Sequence, residues 1–405
     1  MSYPSPFHER LVALNETWKY KDWAGILAPC RYIENHVYEY TAFRHSTGML
    51  DVTPLYKYEV KGKDAGLFLA RITSKDVRKL KPGRVTYLCW CDDDGKVIDD
   101  GTVSRIDEDW YRMSAAEPQY KWLTSLAQGL RVEIEDISRT TAAVAVQGPT
   151  SRSVLEACTE GDVAALKFFG TMPGRIAGKD VRISRTGYTG DLGYEVWTSW
   201  ADGLSVWGEI SRAGRNFGLM PCGLDALDMA RIEAGFVLLG VDYFSAPHTT
   251  IPKKKYSPFE IGLDWTVELD RADPFIGQRA LAIEKKQSKT PRVLVGLELD
   301  WDHLESMYVA HEMAPQLPAG ASRESLPMYS GGRQVGRVSS STWSPTLKKY
   351  LALGTVIPEL SREGTMLDVE HTVLFERCTV RAKIVKRPFF DPERKRETPT
   401  PRKPS

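Results

Sequence analysis

The chain is poor in the features that announce the commonest site chemistries. Its six cysteines are scattered over 405 residues. Cys89-Trp90-Cys91 is a C-x-C without a second pair at zinc-site spacing, while Cys30, Cys158, Cys222 and Cys378 stand alone. They read as buried thiols rather than a disulfide framework. The seven histidines are equally dispersed and no H-E-x-x-H occurs, so no metal is expected. There is no G-x-x-x-x-G-K-[ST], no strand-borne G-x-G-x-x-G and no G-x-S-x-G, which argues against kinases, Rossmann dehydrogenases and serine hydrolases. No apolar run approaches the roughly 20 residues that span a bilayer, and Met1 to Arg10 lacks an apolar signal core. Charge of one sign is missing too: 54 Lys+Arg against 53 Asp+Glu leaves a net +1. Neither nucleic acid nor membrane is therefore an expected partner, and the expected location is cytoplasmic.

What is present is an ordinary globular composition, 42% hydrophobic and 26% charged, in a chain long enough for two or three domains. Strand-like alternation marks Leu55 to Val60, Val181 to Ser184 and Thr379 to Val385. Helical spacing marks Lys63 to Arg71 and Leu224 to Ala234, the latter closed by Gly235. The mixture, without regular βαβ alternation, predicts an α+β fold. The polar, basic stretch Ile283 to Arg292 reads as a linker. Val293 to Phe390 reads as nearly all strand and turn, a small β-barrel. The basic, Pro-rich end is expected to fray. The expected division is 1–285, 286–390 and a flexible 391–405.

Three polar clusters need explaining. In the first, Asp94-Gly95 suits a type I′ hairpin turn, which leaves Asp99-Asp100 unaccounted for where a strand should resume. In the second, Ser184 to Trp197, three glycines within seven residues form an irregular loop and Glu195 opens an apolar strand. A carboxylate there must be solvated or paired, because burying it alone costs several kcal/mol. In the third, the helix carrying Asp228, Arg231 and Glu233, the plain expectation is an exposed i,i+3 pair between Asp228 and Arg231.

These clusters, in this order, resemble the glycine-cleavage T-protein family of tetrahydrofolate-dependent aminomethyltransferases and demethylases. The resemblance is carried by Ala42-Phe43-Arg44, Gly48 to Thr53, Val60 to Ala65, Gly95 to Asp100 and Val146-Gln147-Gly148-Pro149. It continues through the loop Ser184 to Glu195, which is similar to the family's S-R-T-G-Y-T-G-E-x-G-Y-E, and through Ala230 to Gly235. Pro258 to Leu263, Phe275 to Gly277, Gly336 to Ser340 and Ser344 to Leu347 complete it.

The resemblance implies a cloverleaf of two mixed α/β folate-binding domains plus a C-terminal antiparallel β-barrel, with tetrahydrofolate as cofactor. It implies that Glu195 grips the pterin, whose adjacent N–H donors one carboxylate can accept together. It places Asp100 beside the folate N5, with Asp99 as the alternative, since the doublet leaves the assignment open by one. Tyr87, Tyr188 and Arg231 fall at positions expected to line the folate channel. Two departures stand out. Met113-Ser114-Ala115-Ala116 replaces a segment where T-proteins carry Asn, which puts Ser114 on the substrate side. The stretch from Val241 to His248, followed by Lys253-Lys254-Lys255, replaces a shorter acidic segment. From its loop position, Tyr243 or His248 is a candidate to assist departure of the donor's heteroatom.

The leading expectation is a demethylase that moves a methyl group from a small O-, N- or S-methylated substrate to tetrahydrofolate. The alternative is the T-protein reaction itself, aminomethyl transfer from a lipoyl carrier protein, for which Lys253 to Lys255 would be a basic patch. A third reading is a non-catalytic folate-binding protein linked to iron–sulfur assembly. The K-G-C-Y-x-G-Q-type motif of such proteins is absent; Ser257 to Gly262 stands in its place.

Overall fold

The computed structural model describes residues 2–398. It divides into two units: the chain up to Leu88 with Asp99–Ala230 and the segment from Asp391 onward, and Cys89–Ile98 with Arg231–Phe390.

The first unit is built on two sheets. One has seven strands in the order Thr159–Glu160, Thr171–Ile176, Lys179–Ser184, Gly193–Ser199, Thr141–Gln147, Thr47–Asp51 and Leu219–Pro221. Every pairing is antiparallel except the last. Its strand Thr141–Gln147 reads T-A-A-V-A-V-Q and is buried from its second residue on. Alternation sends Ala142, Val144 and Val146 into a core with Phe7, Trp207 and Ile210, and sends Ala143 and Ala145 into a second one with Leu50 and Trp197. Only a strand apolar on both faces can serve two layers. The helix Gly203–Gly214 supplies Trp207 and Ile210 to the first layer.

The other sheet has five strands, in the order Arg84–Cys91, Val97–Asp107, Trp110–Ala115, Tyr56–Lys61 and Glu133–Asp136. The tip of its first hairpin, Cys89–Ile98, belongs to the second unit. At that tip only Gly95 has a positive φ, +71°, and its N–H bonds to Asp92 O at 2.9 Å. The expected type I′ turn is thus replaced by one that needs a single left-handed residue.

The second unit holds a closed six-stranded antiparallel barrel, in the order Val293–Leu299, Lys349–Val356, Arg333–Ser344, Leu326–Ser330, Met366–Val373 and Glu376–Val385. Val380, Ala382 and Ile384 alternate into its core. With the two sheets, this is the α+β class expected. Two details differ from the sequence reading. The barrel stretch contains a helix, Trp301–Val309, started by the Asp300 side chain accepting from His303 N. The expected linker is helical at its beginning, because Gln278–Gln287 runs on until Ser288 turns left-handed at φ +49°. Among the described residues no helix is long and apolar enough to cross a membrane.

Candidate functional site

Pairing register fixes which side chains share a face. In the seven-stranded sheet Ser184 lies opposite Glu195 and Arg182 opposite Trp197. Alternation along both strands puts all four on one face. In the five-stranded sheet Lys57 lies opposite Ser114 and Glu59 opposite Arg112, while Asp100, Thr102 and Ser104 share a face of their own strand. The two sets meet: the Trp197 ring lies 5.7 Å from the Arg112 guanidinium and 5.9 Å from Lys57 Nζ. They enclose a cavity of about 10 Å3 whose walls include Thr102, Ser104, Arg112, Ser114, Arg182 and Trp197. That is room for about one water. A charged layer between two sheets is costly unless something pairs with it, so this layer is the candidate site.

Glu195 occupies the position next to Trp197 on that face. Its Oε2 accepts the Thr186 hydroxyl at 2.7 Å, and Thr186 is in turn 2.8 Å from Ser184 Oγ. Burial pushes the Glu195 carboxyl up in pKa, while the Thr186 and Ser184 hydroxyls and the Lys57 charge pull it back. Two hydroxyls use about half of a carboxylate's acceptor capacity.

The loop that carries Glu195 is wrapped around one side chain. Gln147 Nε2 donates to Thr186 O at 3.2 Å and Tyr194 O at 3.0 Å, and its Oε1 accepts from Thr189 Oγ1 at 3.0 Å. A Cβ on Gly187 or on Gly193 would collide with that same amide. The glycines of the loop and the Gln147 of a distant motif are therefore parts of one construction.

The loop is also held from the far end of the chain. Asp191 accepts both Nε and Nη2 of Arg394 at 2.7 Å, and Arg44 Nη1 lies 3.9 Å away. Arg185 donates to the carbonyls of Arg394, Lys395 and Glu397 at 3.3, 3.0 and 2.5 Å. The described part of the expected flexible tail, 391–398, is thus docked; 399–405 lies outside the described residues.

The aspartate doublet splits by strand alternation. Asp99 is fully buried. Its Oδ1 accepts Asp100 N at 2.7 Å, and its Oδ2 accepts Ala116 N, Glu117 N and Gln119 Nε2 at 3.1, 3.0 and 3.4 Å. Burial, and then the neighbouring Asp100, push its pKa well up. Asp100 is half-buried on the face of Thr102 and accepts the Tyr87 hydroxyl at 2.5 Å. Ser114 Oγ lies 2.7 Å from Thr102 Oγ1. Asp100, Tyr87 and Ser114 are therefore brought together, while Asp99 ties down the strand behind them. Tyr188 is half-buried and packs on the cluster that contains Trp197.

The remaining sequence candidates lie in the second unit. Arg231 is buried and donates to Asp242 at 2.6 Å. Both Asp228 and Arg231 are buried, so the exposed setting expected for a pair at helical spacing is not what the structure gives. Asp242 accepts Ser339 and Ser340 at 2.5 and 2.8 Å, and Glu233 accepts Ser344 at 2.5 Å. The helix-end and barrel motifs thus join in one hydrogen-bonded network. Tyr243 is fully buried rather than on a surface loop. His248 is exposed in the turn Ala246–His248, and Lys253 and Lys254 are exposed as well. Sequence reasoning missed Lys57, Arg112, Arg182 and Trp197, whose shared position depends on pairing across two sheets. Among the described residues no group of three or more His, Cys, Asp or Glu side chains could hold a metal ion.

The chain matches the family model described as the GCVT N-terminal domain over residues 7–271. It matches that of the glycine cleavage T-protein C-terminal barrel domain over residues 292–391. The aminomethyltransferase of Bacillus subtilis (strain 168) is 34% identical over 357 residues, 87% of this chain and 90% of that protein. The aminomethyltransferase of Halothermothrix orenii is 34% identical over 373 residues, 91% and 95% of the two chains. The solved structure of glycine cleavage system aminomethyltransferase T from Bartonella henselae shares the fold at a TM-score of 0.80, with 22% identity over 96% of this chain and 99% of that one. With both family models matched in order across most of its length, the chain belongs to the glycine-cleavage T-protein family of transferase enzymes.

Proposed function

We propose that the chain transfers a one-carbon unit to tetrahydrofolate at the site between the two sheets of its first unit. The observation that carries this reading is Glu195, a half-buried carboxylate in a glycine-built loop with acceptor capacity left after two hydroxyl contacts. Adjacent N–H donors on a pterin edge match that capacity. At its present volume the cavity takes a solvent molecule, so a folate ring system requires its walls to part. Bound tetrahydrofolate would supply N5 as the acceptor atom.

The protein's own part is placement and proton handling. Glu195 would bind and orient the ring, and Tyr87 would hold the Asp100 carboxylate toward the cavity face. Asp100 would take or hold the proton at N5, a role for a positioned carboxylate. In-line placement of acceptor and one-carbon group accounts for much of such a barrier.

For the donor, the relatives favour aminomethyl transfer from a lipoyl-bearing carrier protein, because the proteins that match most of this chain are named aminomethyltransferases. Demethylation of a small methylated substrate is kept as a second reading for one reason: Ser114, bonded to Thr102 on the face of Asp100, stands where T-proteins carry Asn. The test is incubation of the protein and tetrahydrofolate with either an aminomethyl-lipoyl carrier or a panel of methyl ethers, methylamines and methylsulfonium compounds. Methylene-tetrahydrofolate by mass selects the first donor and 5-methyl-tetrahydrofolate the second. Absence of both products from both arms would contradict the assignment.

A further inference from the structure

The cavity wall carries more positive charge than its own carboxylates neutralise. Arg112 Nη2 bonds to Glu59 at 2.7 Å, but Glu59 is shared with Lys61. Arg112 Nε is buried without a hydrogen-bond partner. The Arg182 guanidinium, half-buried across the cavity, forms no hydrogen bond or ion pair among the described residues. Burial and the Arg112 charge both pull the Arg182 guanidinium down in pKa, and Glu59, already shared by Arg112 and Lys61, pulls it only partly back. Ser104 and one hydroxyl of the bonded pair Thr102 and Ser114 add further donors, and Trp197 and Ile106 add apolar walls. A partly desolvated cation without a counter-ion is destabilising. Such a pair makes physical sense when a ligand brings the missing negative charge.

We propose that Arg112 and Arg182 form a carboxylate-binding site in the inter-sheet cavity. The guanidinium fork matches a planar carboxylate, which would displace the water that the cavity has room for and part its walls. The inference rests on the one-carbon-transfer reading only for the source of that carboxylate. Two sources exist: a small carboxylate-bearing donor, or the glutamyl end of the folate. Register favours the donor. Arg182 is two residues from Ser184, the partner of Glu195, about 7 Å along the strand. The glutamyl carboxylates of a folate are held away from its pterin edge by the whole p-aminobenzoyl spacer. One folate gripped at Glu195 would have to fold back to reach Arg182.

The test is calorimetric titration of the full-length protein with sarcosine and benzoate, each beside its uncharged amide, and with tetrahydrofolate beside tetrahydropteroate, which lacks the glutamate. For a donor site, at least one small carboxylate binds tenfold or more tightly than its amide, and Arg182→Met removes that preference. For a folate-tail site, Arg182→Met weakens tetrahydrofolate tenfold or more and leaves tetrahydropteroate unchanged. Either outcome supports the carboxylate site and names its source. A purely structural arginine would lower the melting temperature of the ligand-free protein when replaced; the unpaired cation described here predicts an equal or higher one. The proposal is overturned if neither carboxylate class distinguishes Arg182→Met from the parent, or if the ligand-free variant is destabilised. Loss of all folate binding in the parent, with carboxylate preference intact, would instead strike the folate assignment alone.

Discussion

Arg394 and Asp191, 203 positions apart, form a two-pronged ion pair with both contacts at 2.7 Å, and the Asp191 side chain has no solvent exposure. Arg394 lies beyond residue 391, where the match to the family's barrel ends. Asp191 sits where the signature loop of that family reads Glu. A shorter carboxylate in the loop and an arginine from the segment after the barrel thus occur together and touch. The pair connects the end of the chain to the loop that carries Glu195.

Replacing Asp191 by Ala leaves Arg44 and Arg394 facing a buried void. The expected cost is about 3–5 kcal/mol, as for other broken buried pairs. Arg394→Ala should cost a comparable amount, about 3 kcal/mol, because it leaves the Asp191 carboxylate without solvent and with only Arg44 at 3.9 Å and Leu192 N at 2.7 Å. Urea unfolding measures both. An unchanged midpoint for Asp191→Ala would mean that the segment rests on the loop without holding it.

The roles proposed for the doublet separate stability from chemistry. Asp99→Ala strands the N–H groups of Asp100, Ala116 and Glu117, which Asp99 now accepts. At about 1–3 kcal/mol for each buried group left unpaired, a loss of about 3 kcal/mol or more is expected. Asp100→Asn keeps shape and fold, and should lower turnover about 10²-fold with folate affinity little changed. Thermal melts and steady-state rates of the two variants distinguish the roles. A normal rate in Asp100→Asn would take this acid out of the mechanism.

That separation shows what the sequence could and could not specify. The strand through Asp99 and Asp100 was visible in its apolar neighbours, so two opposite faces were implied. Which face looked into the site depended on the partner strand Trp110–Ala115 and could not be read from one segment. Helical spacing points Arg231 at Asp228 on its own helix, while Asp242, to which it donates, lies beyond the helix end. Helical spacing ranks only neighbours on the same helix. The glycine loop was legible as a loop, yet its reason, the amide of Gln147, lies on another strand. Arg112 and Arg182 carried no motif at all. The barrel, set by local alternation, was the easiest part to foresee.

Lys57 gives a pH test of the inter-sheet layer. Burial pulls its ammonium down from 10.5 to about 7, with Asp51 pulling partly back. Between about 7 and 10.5 the unfolded chain keeps a proton that the folded chain releases, so Lys57 makes stability rise with pH over that window. Below pH 7 both states are protonated and the slope vanishes. Lys57→Met should flatten the rise in urea midpoint between pH 7.5 and 9.5. Identical slopes for parent and variant would place the lysine in a wetter setting than the structure gives it.

Glu195 has the opposite sign. Burial raises its carboxyl pKa, so above the ordinary value of 4.5 the unfolded chain loses the proton first. Its contribution to stability is therefore full at low pH and declines as pH rises through the folded value. Folate affinity should climb over the same interval, since the ionised carboxylate is the form that accepts two donors. Glu195→Gln should flatten both profiles. A variant whose folate affinity keeps the parent's pH dependence would assign that titration to another group.

The central claim is that Glu195 grips a reduced folate, and calorimetric titration of tetrahydrofolate into the parent and Glu195→Ala tests it most directly. Hydrogen bonds to a charged group contribute about 1.5–3 kcal/mol each. The loss of one to two such bonds' worth predicts an affinity roughly ten- to several-hundred-fold weaker in the variant, with the melting temperature of the ligand-free protein nearly unchanged. Equal affinity in the two proteins, or no binding to the parent, would contradict it.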